Sequence, residues 1–302
     1  MQRHRTVLLS FVVLISFLIL PQFPLQAMAG EGLFSRAYTT ETVPGGHYEV
    51  EQAVRWRSGR ANGTYNALDF KSEFEYGFTD NFQGALYLNS QYIHADNAPD
   101  DNDPLGETGF FKNQFAVTSV SAELIYRVLS PVSDPIGLAF YYEPEIDFYD
   151  LHNGDKEYNS FSNEYRILVQ KNFFEDQLIV VYNLVAEIEF FRYAPGNTNY
   201  FGELDWNNEL GATYRVASNW YAGLEFRNHN EVGNFYSHDH SVFWAGPAIH
   251  YGGPKYWATL GLLRQFYGDP SGYDAAGSYI GDDLFLHSHE AWETTFKLGI
   301  PF

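Results

Sequence analysis

The chain has 302 residues, 38 of them acidic and 18 basic, for a formal net charge of -20. Such an acidic balance argues against nucleic acid as a partner, because a phosphate backbone attracts the opposite sign. Cysteine is absent, which excludes disulfides, thiolate metal sites and a cysteine nucleophile.

The first 29 residues read as a secretion signal. Arg3 and Arg5 supply a positive start, Val7 to Leu20 an apolar stretch too short to span a bilayer comfortably, and Ala27-Met28-Ala29 a small-residue cleavage site. No apolar run near 20 residues follows, so a helical membrane protein is not expected. Residues 30–47 form a short leader with Pro44-Gly45-Gly46. It reads either as a periplasmic hairpin arm or as a partial plug.

From Tyr48 the pattern alternates with a period of two, the signature of strands with one apolar and one polar face. Strand 1, 48–57, sets Tyr48, Val50, Val54 and Trp56 against Glu49, Glu51, Arg55 and Arg57. Strand 2, 65–78, sets Leu68, Phe70, Phe74 and Tyr76 against Asp69, Lys71, Glu73 and Glu75. Strands follow at 82–93, 115–129, 136–149, 161–172, 178–192, 203–216, 220–229, 240–251 and 256–267. Pro144 removes a ladder donor and predicts a bulge. The faces of 240–251 and 256–267 are ambiguous. The last strand, Glu290 to Phe302, alternates Trp292, Thr294, Phe296, Leu298 and Ile300 with Glu293, Thr295, Lys297 and Gly299.

The count is twelve. Connections after even strands are short, such as Thr79-Asp80-Asn81, whereas most of those after odd strands are longer and polar: 94–112, 150–160, 193–202, 230–239 and 268–285. A terminal apolar strand would be an aggregation-prone edge in a soluble protein. It makes sense if it closes a barrel against strand 1 with its apolar face in lipid. The expected fold is all-β: a single antiparallel up-and-down transmembrane β-barrel of 12 strands over 48–302. The 18% of aromatic residues suits it, with Phe78, Tyr214, Trp220, Tyr251 and Phe302 in one girdle and Trp56, Trp206, Phe226 and Trp292 in the other. Glu293 and Lys297 should meet Glu51 and Arg55 at the closing seam.

The terminal strand, the turn Tyr76-Gly77-Phe78-Thr79-Asp80-Asn81-Phe82 and the loop asymmetry resemble Gram-negative outer-membrane β-barrels. The block Leu33 to Arg57 is similar to the N-terminus of an uncharacterised proteobacterial outer-membrane family of unknown function. The resemblance implies the cell outer membrane as location. Its lipid and lipopolysaccharide are the implied partners, together with the assembly machinery that reads the terminal strand. It brings no catalytic residues and no cofactor.

Inward positions collect charge. The expected pore lining is Glu73, Glu75, Glu187, Glu189, Glu209, Arg55, Arg57, Arg127, Arg166 and Arg215. Rings of carboxylates attract cations, so one reading is a narrow pore for small solutes with a cation bias. The other is a salt-bridged filling that makes a closed structural or surface-interaction barrel. Histidines gather at the loop end. His238/His240 and His287/His289 have alternate spacing, which on a strand puts each pair on one face and suggests a divalent-metal site. Ser237, Ser241 and Ser288 adjoin histidines, but sequence neighbours on a strand face opposite ways, and no G-x-S-x-G elbow is present. A lipid hydrolase is the weaker reading, and no enzyme is expected.

Overall fold

The computed structural model describes residues 31–98, 111–192, 200–270 and 283–302. The secretion signal, and the central parts of the loops expected at 94–112, 193–202 and 268–285, lie outside the described residues. A 3-10 turn at Glu31–Leu33 precedes twelve strands: β1 Tyr48–Ser58, β2 Thr64–Thr79, β3 Phe82–Asp96, β4 Phe111–Leu129, β5 Gly137–Tyr149, β6 Lys156–Phe173, β7 Leu178–Arg192, β8 Phe201–Ala217, β9 Trp220–Gly233, β10 Ser237–Gly252, β11 Trp257–Asp269 and β12 Trp292–Pro301.

Each strand pairs antiparallel with its chain neighbours, and β1 also pairs with β12, so the sheet closes on itself. The closing register runs from Glu49 opposite Pro301 to Ser58 opposite Trp292. Tyr48 and Phe302 exchange backbone hydrogen bonds of 2.9 and 2.8 Å. Closure leaves no unpaired edge, which answers the liability of ending on an apolar strand. At the seam Lys297 Nζ reaches Glu51 Oε1 at 3.3 Å, as the alternation predicts. Glu293, however, pairs with Arg227 across the interior at 2.7 Å rather than with Arg55, which binds Asp69 at 3.1 Å.

The period-two pattern decides which residues face out. Leu86, Leu224, Ile146, Phe140 and Trp56 stand exposed on the outer wall, while Glu73, Glu123, Glu209 and Glu293 are buried on the inner one. One end of the barrel carries the short turns and Phe302; it is called the turn end below. The other is the loop end.

Four features differ from the sequence reading. Several strands run further toward the loop end: β3 and β4 pair out to Asp96 opposite Phe111, and β6 begins at Lys156. Hairpin ladders need no apolar alternation once both faces are polar. The loop expected at 230–239 shrinks to a tight hairpin, in which Asn234 and Phe235 hold left-handed φ of 51° and 64° and Tyr236 N–H bonds Gly233 O at 3.3 Å. Pro144 makes no bulge. The register to β6 passes straight through it, with Glu143 opposite Glu164 and Glu145 opposite Ser162. Register shifts fall at other places on several strands, among them between His238 and His240 on the β9 side and, where the faces were ambiguous, at Phe243/Trp244 on the β11 side. The second leaves Phe266 and Tyr267 both outward and turns Trp244 in.

The leader is not an arm in solvent. Leu33, Phe34, Ala37, Tyr38, Thr39 and Thr40 are buried inside the barrel. Phe34 packs with Leu33, Ala37, Ile179 and Val181. Gly211 is required there, because a Cβ would sit 2.6 Å from the Phe34 ring. Tyr38 joins Ile125, Ala139, Tyr141 and Leu168.

Candidate functional site

Backbone without a strand partner must find hydrogen bonds elsewhere when it leaves water. The 31–46 segment finds them on inward side chains of strands around the barrel. Ser35 and Arg36 N–H donate to the two Glu225 carboxylate oxygens at 2.7 and 2.9 Å. Tyr38 N–H donates to Asn183 Oδ1 at 2.6 Å, and Asn183 Nδ2 returns a bond to Tyr38 O at 3.0 Å. Thr40 N–H donates to Gln170 Oε1 at 2.8 Å, and Val43 N–H to Gln83 Oε1 at 2.6 Å. Gly45 N–H reaches Asp80 Oδ1 at 3.1 Å. The acceptors lie on β9, β7, β6, β3 and the β2–β3 turn, so the segment crosses the interior near the turn end.

At the loop end, other main chain folds inward. Arg57 Nη2 donates to Leu151 O at 2.6 Å, as does Gln91 Nε2. Arg60 Nη2 and Tyr65 Oη each donate to His152 O at 3.0 Å. Trp244 Nε1 donates to Glu290 O at 3.1 Å.

Between these two lies a cavity of about 300 Å³. Ser35, Arg36 and Tyr38 line it on the turn side, and Leu151, His152, His289 and Glu290 on the loop side. Its lining carries ten carboxylates against seven Lys and Arg side chains. Part of the lining is ion-paired: Arg57 holds Asp69 at 2.7 Å and Glu290 at 3.4 Å, Arg166 holds Glu164 at 2.6 Å and Glu209 at 3.1 Å, and Lys71 reaches Glu143 at 3.6 Å. A row of acids in direct register crosses β5 to β9, with Glu143 and Glu164 holding the cations just named and Glu187, Asp205 and Glu231 continuing it. Like charges directly opposed are destabilising in a sheet. Among the described residues, neither Glu187 nor Asp205 has a Lys or Arg within 4.0 Å.

Of the residues singled out from the sequence, Arg55, Arg57, Glu73, Glu187 and Arg166 line this cavity. Glu209 and Glu75 are buried beside it, Glu209 holding Arg166 and Glu75 accepting from Gln83 Nε2 at 3.2 Å. Glu189 is half-buried, paired in register with Glu203 farther toward the loop end. Arg127 and Arg215 lie elsewhere. Arg127 pairs with Glu41 at 3.2 Å, and Arg215 donates to Glu175 O at 3.0 Å, both at the turn end. They sit too close to the strand ends to reach the cavity. Arg36, Tyr38 and Arg227 also line it; periodicity offered no signal for the first two, which belong to no strand.

The histidines rearrange. A bulge at Asp239 breaks the alternation, so His238 is exposed while His240 is buried. His287 and His289 precede β12 and share no strand face. Only His289 meets His240, with the two Nε2 atoms 2.6 Å apart. His229 and Glu231 of β9 complete that group in place of His238 and His287. Burial, with the imidazoles of His240 and His229, holds His289 well below the ordinary histidine range and so neutral at pH 7. Ser241 Oγ meets His238 Nε2 at 2.9 Å but donates to Asn230 Oδ1 at 2.7 Å. Its proton is therefore directed away from the imidazole that would have to take it.

A closed twelve-stranded antiparallel barrel with an apolar outer wall and a charged interior is the architecture of outer-membrane β-barrels. The chain belongs to the family of unknown function DUF6662, whose model matches residues 26–302. No characterised protein matches it by sequence. Among solved structures it is similar to the COG4313 outer membrane channel from Pseudomonas putida F1, with a TM-score of 0.54 at 11% identity over 87% of this chain and 98% of that one. The translocator domain of the autotransporter NalP from Neisseria meningitidis gives 0.47 at 12% identity, covering 85% of this chain and 88% of that one. The NanC porin gives 0.45 at 10% identity, covering 84% and 98%.

Proposed function

We propose that this chain is a Gram-negative outer-membrane barrel whose interior is a constricted passage for small solutes with a cation bias. The observation that carries the reading is the polar cavity with its excess of carboxylates, two of which, Glu187 and Asp205, face each other in register with no Lys or Arg within 4.0 Å among the described residues. Carboxylate-lined passages concentrate cations. The outward apolar wall fits lipid, since a contiguous apolar surface of that extent is not left in water. With that orientation the turn end faces the periplasm, and the terminal strand Trp292–Pro301 is available to the assembly machinery. The lipid and lipopolysaccharide around the barrel are its standing partners. No catalytic step is assigned to it.

The 31–46 segment is the constriction of this passage, held by five polar acceptors and the Phe34 cluster. Planar-bilayer recordings of the whole protein and of a variant lacking residues 31–43 test the reading. Small steps from the first and severalfold larger steps from the second are expected. Silence from both well-folded proteins would sink the passage, and a reversal potential favouring anions would sink the bias. The second reading, a closed structural barrel, is favoured by the inward-folded main chain at both ends, and silence from both proteins is its expected result.

A further inference from the structure

The group at the loop end does not depend on whether the barrel conducts. His229 and Glu231 stand at the end of β9, His240 on β10, and His289 on the segment that leads into β12. One ligand atom from each can be chosen so that all four lie within 4.8 Å of one another. His229, His240 and His289 are each at most 4% exposed.

The orientation of the rings is set from behind. His240 Nδ1 lies 3.3 Å from Asp239 Oδ2, a carboxylate that can only accept, so Nδ1 is the nitrogen that donates outward and Nε2 is the one turned to the group. His229 Nδ1 lies 2.7 Å from Asn207 Oδ1, which holds that ring in the same orientation, and Asp205 stands 3.8 Å away. Outer partners of this kind orient metal-binding imidazoles and raise their basicity. His240 Nε2 then faces His289 Nε2 at 2.6 Å and Glu231 Oε2 at 3.5 Å. A hydrogen bond between two imidazoles would explain that contact alone. It leaves His229 Nε2 buried with no hydrogen-bond partner among the described residues, at a cost of about 1–3 kcal/mol. A single cation gives all three nitrogens and the carboxylate one common partner. Phe285, stacked on His240 at 4.5 Å, and Trp244, edge-on to His289 at 5.5 Å, close an apolar wall around the group.

We propose that His229, His240, His289 and Glu231 bind one divalent transition-metal ion of the zinc class, tying the segment before β12 to the β9–β10 hairpin. Three imidazoles and one carboxylate are the donor set of a tetrahedral ion with nitrogen bonds of about 2.0–2.1 Å, and binding it parts the His240 and His289 Nε2 atoms from their 2.6 Å contact. His238 and His287 lie outside the set.

The test uses the full mature chain, folded in detergent and stripped of metal with a chelator. Titration with Zn2+ should saturate at one ion per chain, and Co2+ should give the intense visible bands of a four-coordinate site. His240→Ala and His289→Ala should abolish both signals, and Asn207→Ala should weaken Zn2+ by about 10–100-fold. His238→Ala should change nothing. Folding of each variant is checked by heat-modifiable migration. If a ligand variant does not fold, the wild-type Co2+ spectrum decides: four-coordinate bands uphold the site, and the spectrum of the hydrated ion overturns it. Failure of wild-type protein to take up one Zn2+, or uptake that survives His240→Ala, also overturns it. None of these readouts involves conductance.

Discussion

The two ends of the barrel interior are filled by main chain, but with a different balance of hydrogen-bond polarity. At the turn end the intruding 31–46 segment presents mostly N–H groups, and the wall answers with acceptors: Glu225, Asn183, Gln170, Gln83 and Asp80, with Tyr38 O and Gly32 O accepting from Asn183 and Thr259 as the exceptions. At the loop end the intruding loops present mostly carbonyls, and the wall answers with donors: Arg57, Arg60, Gln91 and Tyr65, with Phe285 N–H donating to Gln265 Oε1 as the exception. The difference teaches where charge can be afforded. Two arginines serve the loop end because Asp69 and Glu290 balance Arg57. Neutral amides serve most of the turn end because an amide oxygen accepts from N–H without needing a counter-ion.

The largest effect should come from Arg57→Ala. It leaves Asp69 and Glu290 buried without their shared cation and should cost about 3–5 kcal/mol, read as a lower urea midpoint for the folded barrel. Loosening of residues 150–155 should accompany it, while the 31–46 segment stays docked. If the segment loosened instead, the two ends would not be separate.

Phe34→Ala sharpens the contrast from the other side. Emptying the fully buried Phe34 site should weaken docking of the segment by about 3–5 kcal/mol, seen as faster amide exchange over 33–43. The urea midpoint should hardly move, because the twelve-strand ladder does not use those residues. A large drop in that midpoint would mean that the segment is part of the barrel's own core. Gln170→Leu is a finer cut. It strands the Thr40 N–H in the interior and should cost the segment about 1–3 kcal/mol, with exchange rising locally at Thr40. An equal rise across the loop end would count against the comparison. The smallest effect is expected from Glu187→Gln, which removes one unpaired charge from the acidic row. It should move the reversal potential slightly toward zero in a salt gradient, with stability unchanged or slightly improved by relief of repulsion.

Much of the fold was legible because a barrel wall repeats one rule. Alternation along Tyr48–Ser58 or Thr64–Thr79 needs only neighbouring residues to be read, and it places Phe74 out and Glu73 in correctly. It failed in β10 and β11, where bulges shift the phase and the inner wall is itself apolar through Val242, Trp244 and Leu263. The candidate site was half legible. Arg57, Glu73 and Arg166 were found because parity puts them inside. Arg127 and Arg215 were placed there too, because parity gives a face but not a depth.

The sequence by itself determined that this chain closes twelve amphipathic strands into a barrel with a charged interior, since period and turn spacing are local properties. Only the tertiary structure decided what fills that interior. Ser35 meets Glu225 and Thr40 meets Gln170 across separations of 190 and 130 residues. His240 meets His289 and His229 because a bulge at Asp239 rotates one ring inward. Contacts across a closed cylinder depend on shear, depth and phase around the whole circumference, and no stretch of sequence contains those three quantities.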